Sequence, residues 1–214
     1  MRAIAVLSVM LYHVSAAWVP GGFVGVDIFF VISGYLITRN IVVDLGHSRF
    51  SLLDFYARRV RRIAPMMLTI VAVTLALAML LFTPDDAATT AEAAAASLAS
   101  LANVYFWLFQ DHSYFAAPSA ESPLLHLWSL GVEEQFYLFW PLLLLLFYRS
   151  RKAGLFCLGA ALIAVASFAL GNILYPLDPS FVYYMMPTRA GELLLGALVA
   201  VMTLRGVHER IPAA

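Results

Sequence analysis

Residues 63–83 read IAPMMLTIVAVTLALAMLLFT and decide the fold. The stretch carries no charged side chain. An α-helix rises about 1.5 Å per residue, so such a run can cross a hydrocarbon layer roughly 30 Å thick. Within that layer every backbone N–H and C=O needs a partner from the chain itself, and a helix supplies one at each residue. Five further stretches of this kind lie near 3–18, 23–43, 130–148, 154–174 and 189–204. The chain therefore reads as all-α, a polytopic transmembrane helix bundle of about six spans, with residues 1–214 as a single domain.

Composition agrees. Of 214 residues, 63% are hydrophobic and 12% charged, where soluble domains have about 45–50% apolar and about 25% charged residues. Formal net charge is zero, which leaves no basic surface for nucleic acid. The single cysteine, Cys157, permits no intrachain disulfide. Its apolar neighbours suit an inert buried thiol rather than a nucleophile.

Basic residues set the orientation. With six spans and Met1 inside, the inner segments hold every one of the 13 Lys and Arg except Arg189. The outer segments hold Asp85, Asp86, Glu92, Asp111, Glu121 and Asp178. This places the N-terminus in the cytoplasm. The stretch 87–109 is Ala-rich and then aromatic. As a seventh span it would carry Arg149, Arg151 and Lys152 to the outside, so it reads as a helix at the membrane surface. Residues 110–125 read as a loop.

Several polar residues interrupt this frame. Arg2 and His13 are eleven positions apart, about 20° from a whole number of turns, and so share one face of the first helix about 16 Å apart. An ionisable group at membrane depth is by default a functional candidate, and histidine suits a general base. A packed, hydrogen-bonded histidine is the plain alternative. Asp27 opens the second span, either as an interfacial residue or as a group orienting His13, and Ser33-Gly34 suits close helix contact. In the inner loop from Phe55 to Pro65, Arg58, Arg59 and Arg62 are spaced to converge on one helix face. Such a cluster holds phosphate or anchors on lipid headgroups; four Arg without Lys lean toward phosphate. Of Glu133, Glu134 and Gln135, at least one must face the bundle interior, whereas Trp128, Tyr137 and Trp140 fit an interfacial aromatic belt. Arg189 and Glu192, at i and i+3, can pair. The histidines are scattered, with no metal-ligand spacing.

Five elements occur in order: Arg2-x10-His13; Gly25-Val26-Asp27-x-Phe29-Phe30-x-x-Ser33-Gly34; Phe55-Tyr56-x-Arg58-Arg59-x-x-Arg62-Ile63-x-Pro65; His126-x-Trp128-Ser129-Leu130-x-x-Glu133-Glu134-Gln135-Phe136-Tyr137; and Arg189-x-x-Glu192. Together they resemble the bacterial acyltransferase-3 family, the O-antigen and exopolysaccharide acetylase type. The resemblance implies a multi-pass protein of the bacterial inner membrane. It implies transfer of an acyl group, usually acetyl, from acyl-CoA as co-substrate to a hydroxyl of an envelope glycan or glycolipid, with no bound cofactor and no metal. It gives His13 and Arg2 the catalytic role and Arg58, Arg59 and Arg62 the donor. Asp27, Ser33, His126, Trp128, Glu133, Glu134, Arg189 and Glu192 fall on the supporting or acceptor side. Family members carry a short lead before the position of Arg2 and run to about ten spans. The chain thus reads as a member incomplete at both ends, with an outer acyl-handling domain or partner beyond it. Two other classes fit the residues alone: a proton-coupled transporter or flippase-like protein, and a non-catalytic membrane scaffold.

Overall fold

The computed structural model describes residues 2–109, 122–149 and 153–208. The loop residues 110–121, Arg151, Lys152 and Arg210 lie outside them. Among the described residues the helices follow in chain order: α1 Arg2–Val14, a 3-10 turn Gly22–Val24, α2 Gly25–Gly46, α3 Leu52–Leu81, α4 Pro84–Leu98, α5 Ala102–Phe109, α6 Leu127–Arg149, α7 Ala153–Leu174, α8 Pro179–Tyr184 and α9 Met186–His208. No strand occurs among the described residues, as the sequence predicts.

Among the described residues four helical stretches are long and apolar enough to cross a membrane: Gly22–Gly46, Leu52–Leu81, Gly154–Leu174 and Pro179–Leu204. The expected first span, 3–18, is shorter. The α1 helix has 13 residues, about 20 Å of rise, and the chain then turns through Trp18-Val19-Pro20-Gly21, with Gly21 at φ 81°. The inner loop from Phe55 to Pro65 is instead continuous helix. Ser51 caps α3 by accepting the Asp54 N–H at 3.3 Å, and the helix runs 30 residues through Pro65. The stretch 87–109 is helical but split. Thr83 caps α4 by accepting the Asp86 N–H, with Pro84 in the first turn, where its missing N–H costs nothing. The helix stops at Ala99, and Ser100 takes a left-handed φ of 61° before α5 begins. At 15 and 8 residues, neither half reaches crossing length.

The chain forms two compact units. The first comprises Met1–Arg49, Phe136–Leu170 and Arg189–Ala214. Its α2 and α9 touch backbone to backbone: a Cβ on Gly34 would enter the Leu193 carbonyl, and one on Gly196 the Val31 carbonyl. Small residues allow this approach, as in membrane helix pairs generally. Ser33-Gly34 thus serves the close helix contact that the sequence suggests. Trp140 of α6 donates to Thr38 of α2 at 2.7 Å, with both side chains buried. Ser167 of α7 accepts the Gly191 N–H at 2.9 Å.

The second unit comprises Phe50–Gln135 and Gly171–Thr188. Here α5 lies on α8, where Trp107 donates to Asp178 at 3.0 Å and Asp178 in turn accepts the Phe181 N–H at 2.8 Å as the α8 cap. The first turns of α6 close on α5 because Gly131 leaves room for the Asn103 amide.

Candidate functional site

In the first unit, His13 sits in the last turn of α1. Its Nδ1 lies 2.8 Å from the Val9 carbonyl. A carbonyl only accepts, so Nδ1 carries the proton, and in the neutral ring Nε2 holds the lone pair. His13 is exposed, with Tyr12 edge-on to its ring at 5.7 Å. Arg2, at the other end of α1, lies over the Phe29 ring at 5.2 Å and donates to the Tyr137 hydroxyl at 3.4 Å. These contacts fix the start of α1 against α2 and α6.

Asp27 and Arg189 meet although 162 residues separate them. Arg189 Nη1 donates to Asp27 Oδ1 at 3.1 Å and to Glu192 Oε1 at 3.2 Å. The i, i+3 pair read from the sequence forms, and Asp27 joins it from α2. One terminal nitrogen serves both carboxylates. Glu192 Oε2 and the Ser33 hydroxyl are buried without a hydrogen-bond partner, and Ser33 is 0% exposed.

In the second unit, Arg58, Arg59 and Arg62 lie on the opening turns of α3. Arg58 and Arg62 are exposed, and Arg59 lies over the Phe55 ring at 5.6 Å. Glu133 is the interior acid, at 4% exposure. Glu134 accepts from the Ser100 hydroxyl at 2.5 Å. Gln135 donates to the Ser100 carbonyl at 3.2 Å and to Asn103 Oδ1 at 2.8 Å, while Asn103 donates to the Tyr184 carbonyl at 3.2 Å. His126 precedes α6 with a large accessible surface. Its ring is nonetheless crowded by chain atoms, and this desolvation lowers its pKa below the ordinary imidazole value.

The aromatic belt is corrected. Trp128, Tyr137 and Trp140 are 2%, 4% and 3% exposed. Trp128 packs on Tyr183 and Tyr184, at 4.6 and 5.5 Å between ring centres. Trp140 stacks on Phe136 at 5.1 Å. Their N–H and O–H groups belong to the protein interior, where a polar tip needs a partner. The site residues of the sequence thus fall in two groups: Arg2, His13, Asp27, Ser33, Arg189 and Glu192 in the first unit, and Arg58, Arg59, Arg62, His126, Trp128, Glu133 and Glu134 in the second. Ser100 and Asn103 escaped the sequence reading. The only signal for Asn103 is a carboxamide at the head of the apolar run Val104-Tyr105-Phe106-Trp107.

The family model described as "Acyltransferase domain" matches residues 1–211. The chain belongs to the acyltransferase-3 family. Among curated relatives, the putative peptidoglycan O-acetyltransferase YrhL of Bacillus subtilis is 39% identical over 206 residues, covering 94% of this chain and 32% of the relative. The peptidoglycan O-acetyltransferase OatA of Listeria monocytogenes is likewise 39% identical, over 204 residues with the same coverages. The O-acetyltransferase OatA of Staphylococcus aureus is 36% identical over 203 residues, covering 94% and 33%. The chain therefore spans about a third of the length of these relatives. No solved structure matches it.

Proposed function

We propose that this chain is the membrane part of an O-acyltransferase. It transfers an acetyl group from acyl-CoA to a hydroxyl of a cell-envelope glycan, peptidoglycan being the acceptor class that the relatives' names suggest. The observation that carries the reading, beside family membership, is the His13 tautomer. With Nδ1–H committed to Val9, the Nε2 lone pair can take a hydroxyl proton as the oxygen attacks the thioester carbonyl. Arg58, Arg59 and Arg62 would hold the donor's phosphates by charge-assisted hydrogen bonds. Asp27, Ser33, His126, Trp128, Glu133, Glu134, Arg189 and Glu192 would support the site or its acceptor side. About six spans in a bacterial inner membrane with a cytoplasmic N-terminus put the Arg cluster where acyl-CoA is made, among the lipid headgroups that the protein also meets.

The test is acetyl transfer from radiolabelled acetyl-CoA to envelope glycan, in membranes carrying the full-length gene at matched expression. His13→Ala should cost about 10²–10⁴-fold, the typical contribution of a general base. The Arg58/Arg59/Arg62 triple Ala variant should raise the KM for acetyl-CoA. Near-normal turnover in His13→Ala would remove the base role. Charged residues of α2 and α9 joined by Arg189 also suit a proton-coupled transporter. Proton-driven solute uptake without acyl-CoA dependence would favour that reading over transfer.

A further inference from the structure

We propose that Ser100 is a covalent acyl carrier and that Glu134 is its base; the inference rests on the acyltransferase reading above. Three observations converge on this residue. The Ser100 hydroxyl donates to Glu134 Oε2 at 2.5 Å, within the reach that a nucleophile and its base require. Ser100 stands on the elbow between α4 and α5 at φ 61°. This conformation is uncommon for a residue with a Cβ and is held in structures where the surroundings over-determine it. The surroundings here do so: the next residue of α6, Gln135, donates to the Ser100 carbonyl at 3.2 Å and is itself tied to Asn103 at 2.8 Å. Backbone and hydroxyl of one half-buried serine are thus each gripped by one of two consecutive α6 side chains. The left-handed φ also closes α4, with the Ser100 N–H donating to the Ser97 carbonyl at 3.0 Å and the Leu101 N–H to the Ala96 carbonyl at 2.8 Å, so the proposal stands on the hydroxyl and its Glu134 partner.

The step balances with acyl-CoA as the only co-reactant. The Ser100 oxygen forms a bond to the thioester carbonyl carbon, its proton passes to Glu134, and the C–S bond breaks to release the thiolate, which takes a proton from solvent. The acyl group is then an ester on Ser100. In the second half the acceptor hydroxyl attacks that ester and gives up its proton to solvent. The bond to Ser100 breaks, and Glu134 returns its proton to the serine oxygen.

The experiment supplies radiolabelled acetyl-CoA to the full-length protein in membranes and reads glycan label and protein-bound label separately. The second is mapped by mass spectrometry to the segment carrying Ser100. Ser100→Gly removes the hydroxyl at a φ that glycine favours, so the elbow is kept. Ser100→Cys keeps a nucleophile, and Glu134→Gln keeps a side chain that can accept from Ser100 but removes the base. The expected result is a hydroxylamine-sensitive label at Ser100 in wild type, absent in Ser100→Gly and retained as a thioester in Ser100→Cys. Glycan transfer should fall roughly 100-fold or more in Ser100→Gly and Glu134→Gln, the scale of a lost base step. Full glycan transfer by Ser100→Gly overturns the proposal and leaves direct transfer standing. Wild-type glycan label with no protein label at this segment, on a rapid quench, also overturns it. A wild type that labels neither glycan nor protein overturns the acyltransferase reading itself, and the carrier with it.

Discussion

Arg189 holds Asp27 and Glu192 through one nitrogen, and this geometry predicts what its replacement costs. The Arg189, Glu192 and Asp27 side chains are 16%, 11% and 37% exposed. Arg189→Met keeps the apolar stem and removes the charge. Glu192 is then a nearly dry carboxylate with no cation opposite, a situation that costs about 3–5 kcal/mol for a buried pair. Asp27 retains solvent, so its share stays near the 0–1 kcal/mol of exposed pairs, about the median for such contacts. The expected loss is therefore about 3 kcal/mol, dominated by Glu192. Double-mutant cycles should show a coupling of Arg189 to Glu192 larger than that to Asp27. Because both bonds leave Nη1, a lysine ammonium has donors enough for both carboxylates, and Arg189→Lys should cost less than half of Arg189→Met. At a two-pronged carboxylate grip the same exchange would be severe. The assay is reversible unfolding in mixed micelles, followed by circular dichroism as denaturing detergent is raised. The reasoning fails if Arg189→Met unfolds within about 0.5 kcal/mol of wild type, the range of an ordinary surface change. It also fails if coupling to Asp27 exceeds coupling to Glu192.

Other expectations follow from single contacts. Gly34→Val and Gly196→Val should each cost about 1–3 kcal/mol or more by the same unfolding assay, because the obstacle is backbone on the facing helix. Gly154→Ala and Gly159→Ala, where a Cβ meets nothing within 4 Å, should be neutral or stabilising. Trp140→Phe removes the donor to buried Thr38 and should cost about 1–3 kcal/mol; adding Thr38→Val should recover part of it. His126 has a folded pKa lowered from 6.5, so the native state prefers the neutral ring. Its stabilising share is complete above pH 6.5 and is lost as pH falls from there through the folded value. Thermal unfolding between pH 7 and 5 should drop less steeply in His126→Asn, and an unchanged slope would remove the assignment.

Helices could be read from the sequence where a single physical cause dominates. Apolar runs such as 63–83 leave the backbone one way to satisfy itself, and they are helical as expected. Boundaries failed where two local signals compete. Ser51 caps a helix eleven residues before the apolar run begins, so the Arg cluster belongs to α3 rather than to a loop. The first helix ends at Val14, six residues before Pro20-Gly21, although apolar residues continue to Val19. The Arg189–Glu192 pair was legible because i, i+3 spacing is local; the entry of Asp27 from 162 residues away was not. The three aromatics of α6, Trp128, Tyr137 and Trp140, lie inside the protein rather than at a lipid interface for a related reason. Amphipathic rings suit a lipid interface and a polar-lined interior equally well by composition. Only a partner decides between them, and for Trp140 that partner is Thr38, 102 residues distant. Ser100 is the extreme case. In sequence it is one of several serines near small residues. Its interest lies in a positive φ and in contacts from 34 and 35 residues downstream, none of which has a local signature. A serine that matters through geometry alone has to be tested by substitutions that hold that geometry fixed. Glycine at 100 does so, because it tolerates the φ and lacks only the hydroxyl.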